Sequence, residues 1–416
     1  MILLESMVRR VVITGLGVFS SIGRNKGSFL ESLLEGRSGV RPISQFDSSS
    51  LSIRIAAEIA DYNPDDYFPA KRQDLLDKFA QYGLIAAGEA LKDSGITIGE
   101  DERCRFGVVM GSGMGGAGSY DAGYHNLYAK RVTRLHPFTI PRIMHNAATS
   151  QICMEYGAQG PALATATACS SSGHAISEAF HLIKLGLADM MLAGGADAPI
   201  TYGVMRCWEA VRVLAPGNGN PAAACRPFSA DRKGMVIGEG SGVLLLEELE
   251  HALKRGATIY GELAGCGMSS DASHITQPSV DGPVRAIRMA LDEAGIEPEE
   301  IDYINAHGTG TRLNDVVETQ VIKEVFKDHA RKLAISSTKS MHGHAMGATG
   351  AIESVATVLA VQRGVVPPTA NYTEPDPECD LDYVPNEPRE MRIRAALSNS
   401  FAFGGLNAVL LVRHWQ

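Results

Sequence analysis

Ala90-Leu91-Lys92-Asp93-Ser94-Gly95-Ile96 returns two hundred residues further on as Ala290-Leu291-Asp292-Glu293-Ala294-Gly295-Ile296. Each copy reads as the last turn of a helix closed by glycine, the residue that takes a left-handed C-terminal position at least cost. A short acidic loop, an apolar strand and a Gly-rich turn follow both times. In the first copy these are Phe106-Gly107-Val108-Val109-Met110 and Gly111-Ser112-Gly113; in the second, Ile301-Asp302-Tyr303-Ile304-Asn305 and His307-Gly308-Thr309-Gly310. The openings match, Val11-Val12-Ile13-Thr14-Gly15-Leu16-Gly17 against Glu262-Leu263-Ala264-Gly265-Cys266-Gly267. So do the closings, Gly242-Val243-Leu244-Leu245-Leu246 against Ala408-Val409-Leu410-Leu411-Val412. Between them, a turn at Cys169 is expected to answer to Ser337-Thr338-Lys339-Ser340. The reading is two duplicated halves, 1–252 and 253–416, with the boundary near 252–257. Each half is strand, helix, strand, strand, helix, strand around its own sheet. Near-continuous apolar strands at 190–193 and 243–246 predict sheets covered on both faces, hence an α/β protein.

A chain of 416 residues exceeds one ordinary core, which agrees with a duplicated unit. Its net charge of −9, with no long Lys/Arg run, argues against nucleic acid as a partner. Seven cysteines lie singly, without a CxxC pair, so neither a disulfide framework nor a zinc site is expected, and a reducing cytoplasm is. No apolar run approaches the roughly 18 residues that span a bilayer. The N-terminus has no basic region or secretory-length apolar segment; Met7 reads as the original start, with residues 1–6 an extension. The stretch from about 115 to 160, carrying Pro137 and Pro141, reads as an insertion in the first half without a counterpart in the second. Lid, pocket wall or dimer contact are its expected roles.

Chemistry concentrates at Ala166-Thr167-Ala168-Cys169-Ser170-Ser171-Ser172-Gly173-His174. A β-prone run ends there and a helical stripe begins, with Ile176, Phe180, Ile183 and Leu187 on one face. A thiol at a helix start faces the positive end of the dipole, which favours the nucleophilic thiolate. His307 follows an apolar strand directly, at the sheet edge where α/β proteins bind ligands. His344 lies in Lys339-Ser340-Met341-His342-Gly343-His344, where small residues let a helix start pack closely. His342-x-His344 lacks a nearby third ligand, so no metal is expected. Lys339 is expected to be buried beside a carboxylate such as Glu318 or Asp315. Backbone N–H groups of Asn399-Ser400-Phe401-Ala402-Phe403-Gly404-Gly405 suit an oxyanion hole. Gly15-Leu16-Gly17 lacks the third glycine of a dinucleotide site, and Gly234 to Gly242 lacks a P-loop Lys-Ser/Thr.

Four motifs in order resemble the elongating, type II β-ketoacyl-acyl carrier protein synthases of the thiolase superfamily: Thr167-Ala168-Cys169, Asn305 to Thr311, Ser337 to His344, and Asn399 to Gly405. The similarity runs from Val11 to Arg413. It implies a thiolase-like five-layered αβαβα fold, usually a homodimer, with a heterodimer of related subunits as the variant. It also implies decarboxylative condensation: an acyl chain held as a thioester on Cys169 joins malonyl-acyl carrier protein, giving β-ketoacyl-acyl carrier protein and CO2. Cys169 would be the nucleophile, while His307 and His344 would hold the malonyl thioester carbonyl. The backbone N–H groups of Cys169 and Phe401 would form the oxyanion hole, and Phe401 would gate the site. Thr309 and Thr311 match positions that contact the pantetheine arm, Lys339 and Glu318 the supporting ion pair, and Met114 the floor of the acyl pocket. No cofactor is implied beyond the 4'-phosphopantetheine of the carrier protein, whose acidic surface would meet Lys71, Arg72, Lys130, Arg131 and Arg134. His342 and Ala402 stand where primary-metabolism synthases carry Thr or Ser and Gly, and resemble nodulation-type and other specialised synthases. Against these stand a noncatalytic, chain-length-factor-like partner subunit, which would not need Cys169, and a metal hydrolase built on the histidines.

Overall fold

The computed structural model describes residues 9–217 and 219–415; the expected extension before Met7 lies outside them. Ten strands follow one another as β1 (Val11–Ser20), β2 (Phe106–Gly111), β3 (Ala162–Thr165), β4 (Met190–Asp197) and β5 (Gly240–Glu248), then β6 (Gly261–Ser270), β7 (Tyr303–Asn305), β8 (Ala334–Ser336), β9 (Ala395–Ala402) and β10 (Leu406–Arg413). In space the order is β8-β7-β9-β10-β6-β1-β5-β4-β2-β3. Both halves thus use one arrangement, third-second-fourth-fifth-first, with the same parallel and antiparallel pairings.

Each half has five strands rather than four: β4 and β9 stand beside the closing strand as antiparallel partners. Nor does each sheet stand alone, because β1 and β6 pair antiparallel through Val11, Val12 and Ile13. Helices α1 (Lys78–Ser94) and α2 (Ala147–Tyr156) cover the outer face of the first sheet; α3 (Ser171–Lys184) lies on its inner face. In the second half α4 (Asp281–Ala294) and α5 (Arg312–Phe326) lie outside, and α6 (Thr349–Arg363) lies inside against α3. Three apolar clusters fill the four interfaces of this α-β-α-β-α stack. The central one joins Ile176 and Phe180 of α3 to Ile352, Val355 and Leu359 of α6. Since α6 is apolar nearly all round, its residues from Thr349 to Val361 are all buried.

Superposing the two connectivities corrects two expectations. The segment between β2 and β3 does have a counterpart, since α2 packs on α1 as α5 packs on α4. Only its exposed front part, with the helix Ala117–Tyr128, is additional. The turn that answers to Cys169 is Met346–Ala348, not Ser337 to Ser340. Both Ala168–Ser170 and Met346–Ala348 are single 3-10 turns leading straight into the inner helix, and both begin with a left-handed residue, Ala168 at φ +53° and Met346 at φ +48°. Gly347 is therefore the counterpart of Cys169. A Cβ there would meet Gly113 N at 2.3 Å, and its own N–H is held by the carboxylate of Asp197.

Candidate active site

The Cys169 turn is built by its neighbours' hydroxyls. A left-handed Ala168 costs about 1–2 kcal/mol relative to an ordinary conformation. Ser170 Oγ donates to Thr167 O at 2.9 Å, and Ser171 Oγ donates to Ala168 O at 2.7 Å while accepting from Thr167 N–H at 2.9 Å. Ser172 Oγ accepts from Ala351 N–H at 2.8 Å and ties α3 to α6. The run of three serines is thus the scaffold that keeps Cys169, 8% exposed, at the mouth of a helix.

The second half brings the histidines. Glu318, on α5, accepts from the N–H groups of His307 and Gly308 at 2.8 and 2.7 Å, which pins the turn after β7. His344 is pinned through its backbone, donating to Val236 O at 2.7 Å. Its Nδ1 accepts from Met346 N–H at 3.1 Å, so the ring proton sits on Nε2 and that edge donates. The two imidazoles stand nearly perpendicular, centroids 5.6 Å apart. Cys169 Sγ and one nitrogen of each ring lie within 4.8 Å of one another.

Burial and one cation set the protonation states. Desolvation, then the Lys339 charge, hold His307 and His344 well below the ordinary imidazole value, so both are neutral donors or acceptors around pH 7. Burial pushes the Cys169 thiol up to about 11, against the pull of Lys339 and of the Phe403 backbone N–H. Burial thus opposes the thiolate that the helix start favours. Iodoacetamide modification of Cys169 should therefore accelerate about tenfold per pH unit from pH 7 to 9.5, because the reactive thiolate fraction grows below the pKa. Peptide mass spectra showing a plateau near pH 8 would contradict this. Cys169, His307 and His344 would suit a small metal ion by distance, but the neighbouring buried ammonium opposes a second positive charge there.

Lys339 pairs with Glu353, not with Glu318 or Asp315. Its Nζ lies 2.7 Å from Glu353 Oε1, and both side chains are fully buried. Glu318 is occupied by the His307 turn, and Asp315 faces Arg232 at 3.2 Å. Glu353 was legible in principle as the lone charge in the apolar stretch Thr349 to Val361.

A cavity of about 290 Å³ opens onto this centre, with Cys169, His307 and His344 in its wall. Thr309 and Thr311 line it, their hydroxyls 2.8 Å apart, as do Phe401, Ala402 and Phe403. Phe401 sits on β9 in the second half's outer core, its ring 6.1 Å from His307. The backbone N–H that bears on the thiol is that of Phe403, one residue past the strand end, rather than that of Phe401. Met114 is not in this wall; it packs against the cluster of Ile200, Met205 and Met346. Lys71, Lys130, Arg131 and Arg134 are exposed, while Arg72 pairs with Glu155 at 3.1 Å. The sequence reading missed the loop at 271–278, which laces the gate: Gly404 N–H donates to Ile275 O at 2.7 Å and Asp271 N–H to Gly405 O at 2.8 Å. It also missed Trp208, one of two tryptophans, whose ring centroid lies 6.0 Å from that of Phe403.

The sequence model "Beta-ketoacyl synthase, N-terminal domain" matches residues 8–252, and "Beta-ketoacyl synthase, C-terminal domain" matches residues 260–373. The chain belongs to the β-ketoacyl synthase family. Nodulation protein E of Rhizobium leguminosarum bv. trifolii is 48% identical over 98% of this chain and 100% of the relative. The 3-oxoacyl-[acyl-carrier-protein] synthase 2 of Staphylococcus aureus (strain COL) is 43% identical over 99% of this chain and 100% of its own length. Among solved structures, a type II PKS acyl-carrier protein in complex with its ketosynthase bound to the hexaketide matches with a TM-score of 0.91. It is 34% identical and covers 99% of this chain and 100% of that one. The thiolase-like fold and the condensing acyltransferase class follow. Among the described residues no helix is long and apolar enough to cross a membrane.

Proposed function

We propose that Cys169 takes the acyl chain and that His307 and His344 drive decarboxylation of malonyl-acyl carrier protein. The observation that carries this is the thiol and two neutral imidazoles within 4.8 Å at the wall of one cavity, with the His344 proton on Nε2. In the first step the thioester carbonyl carbon exchanges its bond to the carrier sulfur for one to Cys169 Sγ, and the thiol proton ends on the departing carrier thiol. In the second, imidazole N–H groups hold the malonyl thioester oxygen. The bond to the carboxylate breaks, CO2 leaves, and the electron pair becomes an enolate. The carbanion attacks the acyl-Cys169 carbonyl, whose developing charge meets the N–H groups of Cys169 and Phe403. Collapse releases β-ketoacyl-acyl carrier protein and the Cys169 thiolate, which takes a proton from water. Burial, and after it the charge of Lys339 locked to Glu353, keep the imidazoles neutral. Thr309 and Thr311 contact the pantetheine arm, and Met114 backs the acyl pocket from behind the wall. A noncatalytic partner subunit would have no use for this constellation.

The cofactor chemistry is the carrier's own 4'-phosphopantetheine thiol. The acyl carrier protein is the partner, met by the exposed Lys71, Lys130, Arg131 and Arg134. A homodimer is supported by β3, an edge strand that among the described residues pairs only with β2 and whose Leu163 is 46% exposed, as well as by exposed Met154 and Ile140 in the same half. Seven free cysteines support a cytoplasmic setting.

The pathway is a specialised one, supported by Ala402 and His342 and by the likeness to nodulation protein E. An added methyl at the gate restricts its backbone. Ala402→Gly should therefore change kcat/KM with long or unsaturated acyl-carrier proteins more than with short saturated ones, read in a competition assay by mass. A wild type that prefers ordinary saturated medium chains, with ratios unmoved by the substitution, would point to housekeeping elongation.

A further inference from the structure

His342 is a third imidazole, 1% exposed, that the mechanism above does not use. It closes the short helix Lys339–His342 and is separated from His344 by Gly343 alone. Its Nδ1 lies 2.8 Å from the Gly343 carbonyl oxygen. A carbonyl only accepts, so the proton is on Nδ1 and the lone pair on Nε2. That lone pair takes the Thr338 hydroxyl at 3.0 Å. Burial and the Lys339 charge push the ring down to about 3, which keeps it neutral, in this one tautomer, at any working pH.

The peptide it grips follows a backbone conformation that glycine alone adopts readily. Gly343 stands at φ +67°, ψ −168°, and a Cβ there would come within 2.8 Å of Ala57 Cβ and 3.0 Å of Val236 O. Glycine makes this geometry accessible without selecting it, because glycine explores left- and right-handed space about equally. The Val236 carbonyl holds the N–H side of the Gly343–His344 peptide at 2.7 Å, and a partner for its carbonyl side completes the orientation on which the direction of His344 depends.

We propose that His342 is a positioning residue for His344: its Nδ1–H holds the Gly343 carbonyl, and so fixes the backbone from which His344 directs its Nε2–H at the reacting carbonyl. The smaller Thr or Ser cannot bridge Thr338 and the Gly343 carbonyl with one rigid ring. The inference rests on the decarboxylating role proposed for His344.

His342→Ala, His342→Asn and His344→Ala are compared with the wild type in two assays, acylation of Cys169 from acyl-carrier protein and CO2 release from malonyl-carrier protein. His342→Ala should keep acylation within about twofold and lower kcat for decarboxylation about tenfold, with KM unchanged. His342→Asn, whose side-chain N–H reaches the same carbonyl, should recover most of the loss. Parallel loss of both activities in His342→Ala would overturn the proposal in favour of general misfolding. So would failure of Asn to rescue, or a His342→Ala variant that decarboxylates normally while His344→Ala does not. A His344→Ala variant that decarboxylates normally would overturn the underlying reading, and this inference with it.

Discussion

Cys169→Ala is expected to carry no acyl group after incubation with acyl-carrier protein and to lose condensation by at least about 10³-fold. Removing Sγ deletes the atom that forms the thioester. The other hydroxyls of the turn cannot substitute, because Ser170 and Ser171 donate to the backbone of their own turn. The histidine pair does not depend on the thiol for its geometry: Glu318 and Met346 of the second half and Val236 of the first hold it. The variant should therefore still release CO2 from malonyl-carrier protein within about tenfold of the wild-type rate. Intact-protein mass spectrometry and carbon-labelled malonyl groups read the two steps separately. An acylated alanine variant would exclude Cys169 as the nucleophile.

His344→Ala should show the reverse pattern, with Cys169 acylated and decarboxylation reduced by about 10² or more, the usual effect of losing one preorganised donor to a developing oxyanion. Its pH behaviour follows from the direction of the shift. Because burial and Lys339 hold both imidazoles well below the ordinary value, the wild-type decarboxylation rate should stay flat from pH 8 down to pH 6. An imidazole with the ordinary pKa would instead lose its neutral form across that window. A His344→Ala variant that decarboxylates normally but cannot be acylated would exchange the assigned roles.

The duplication, Cys169 and His307 are legible in the sequence because each follows an apolar or β-prone run, where period and glycine are both readable. His344 is legible from the small residues around it at a helix start. What was not legible depended on where side chains end rather than where they begin. Glu318 and Glu353 both lie well away from Lys339 along the chain, and only the close packing of α6 delivers Glu353 to the ammonium. Phe401 and Phe403 differ by two positions, and the exact residue at which β9 stops decides which backbone N–H faces the thiol. The loop at 271–278 has no periodic signal, and its role comes from hydrogen bonds between two backbones. Burial was the other unread influence: the helix start acts at a turn that is almost completely withdrawn from water, where loss of solvation pushes the Cys169 thiol up.

A protein made by copying itself begins with two candidate workplaces. Here the second is permanently let. Where the Cys169 amide is left free for a passing substrate, its twin at Gly347 is already spoken for by a tenant from the other half, the Asp197 carboxylate, which also takes the amides of Gly113 and Met114 at 2.8 and 3.0 Å. No side chain fits at 347 to compete for the space. The chain thereby has one open turn rather than two, and the closed one ties Gly347 of the second half to Asp197 of the first.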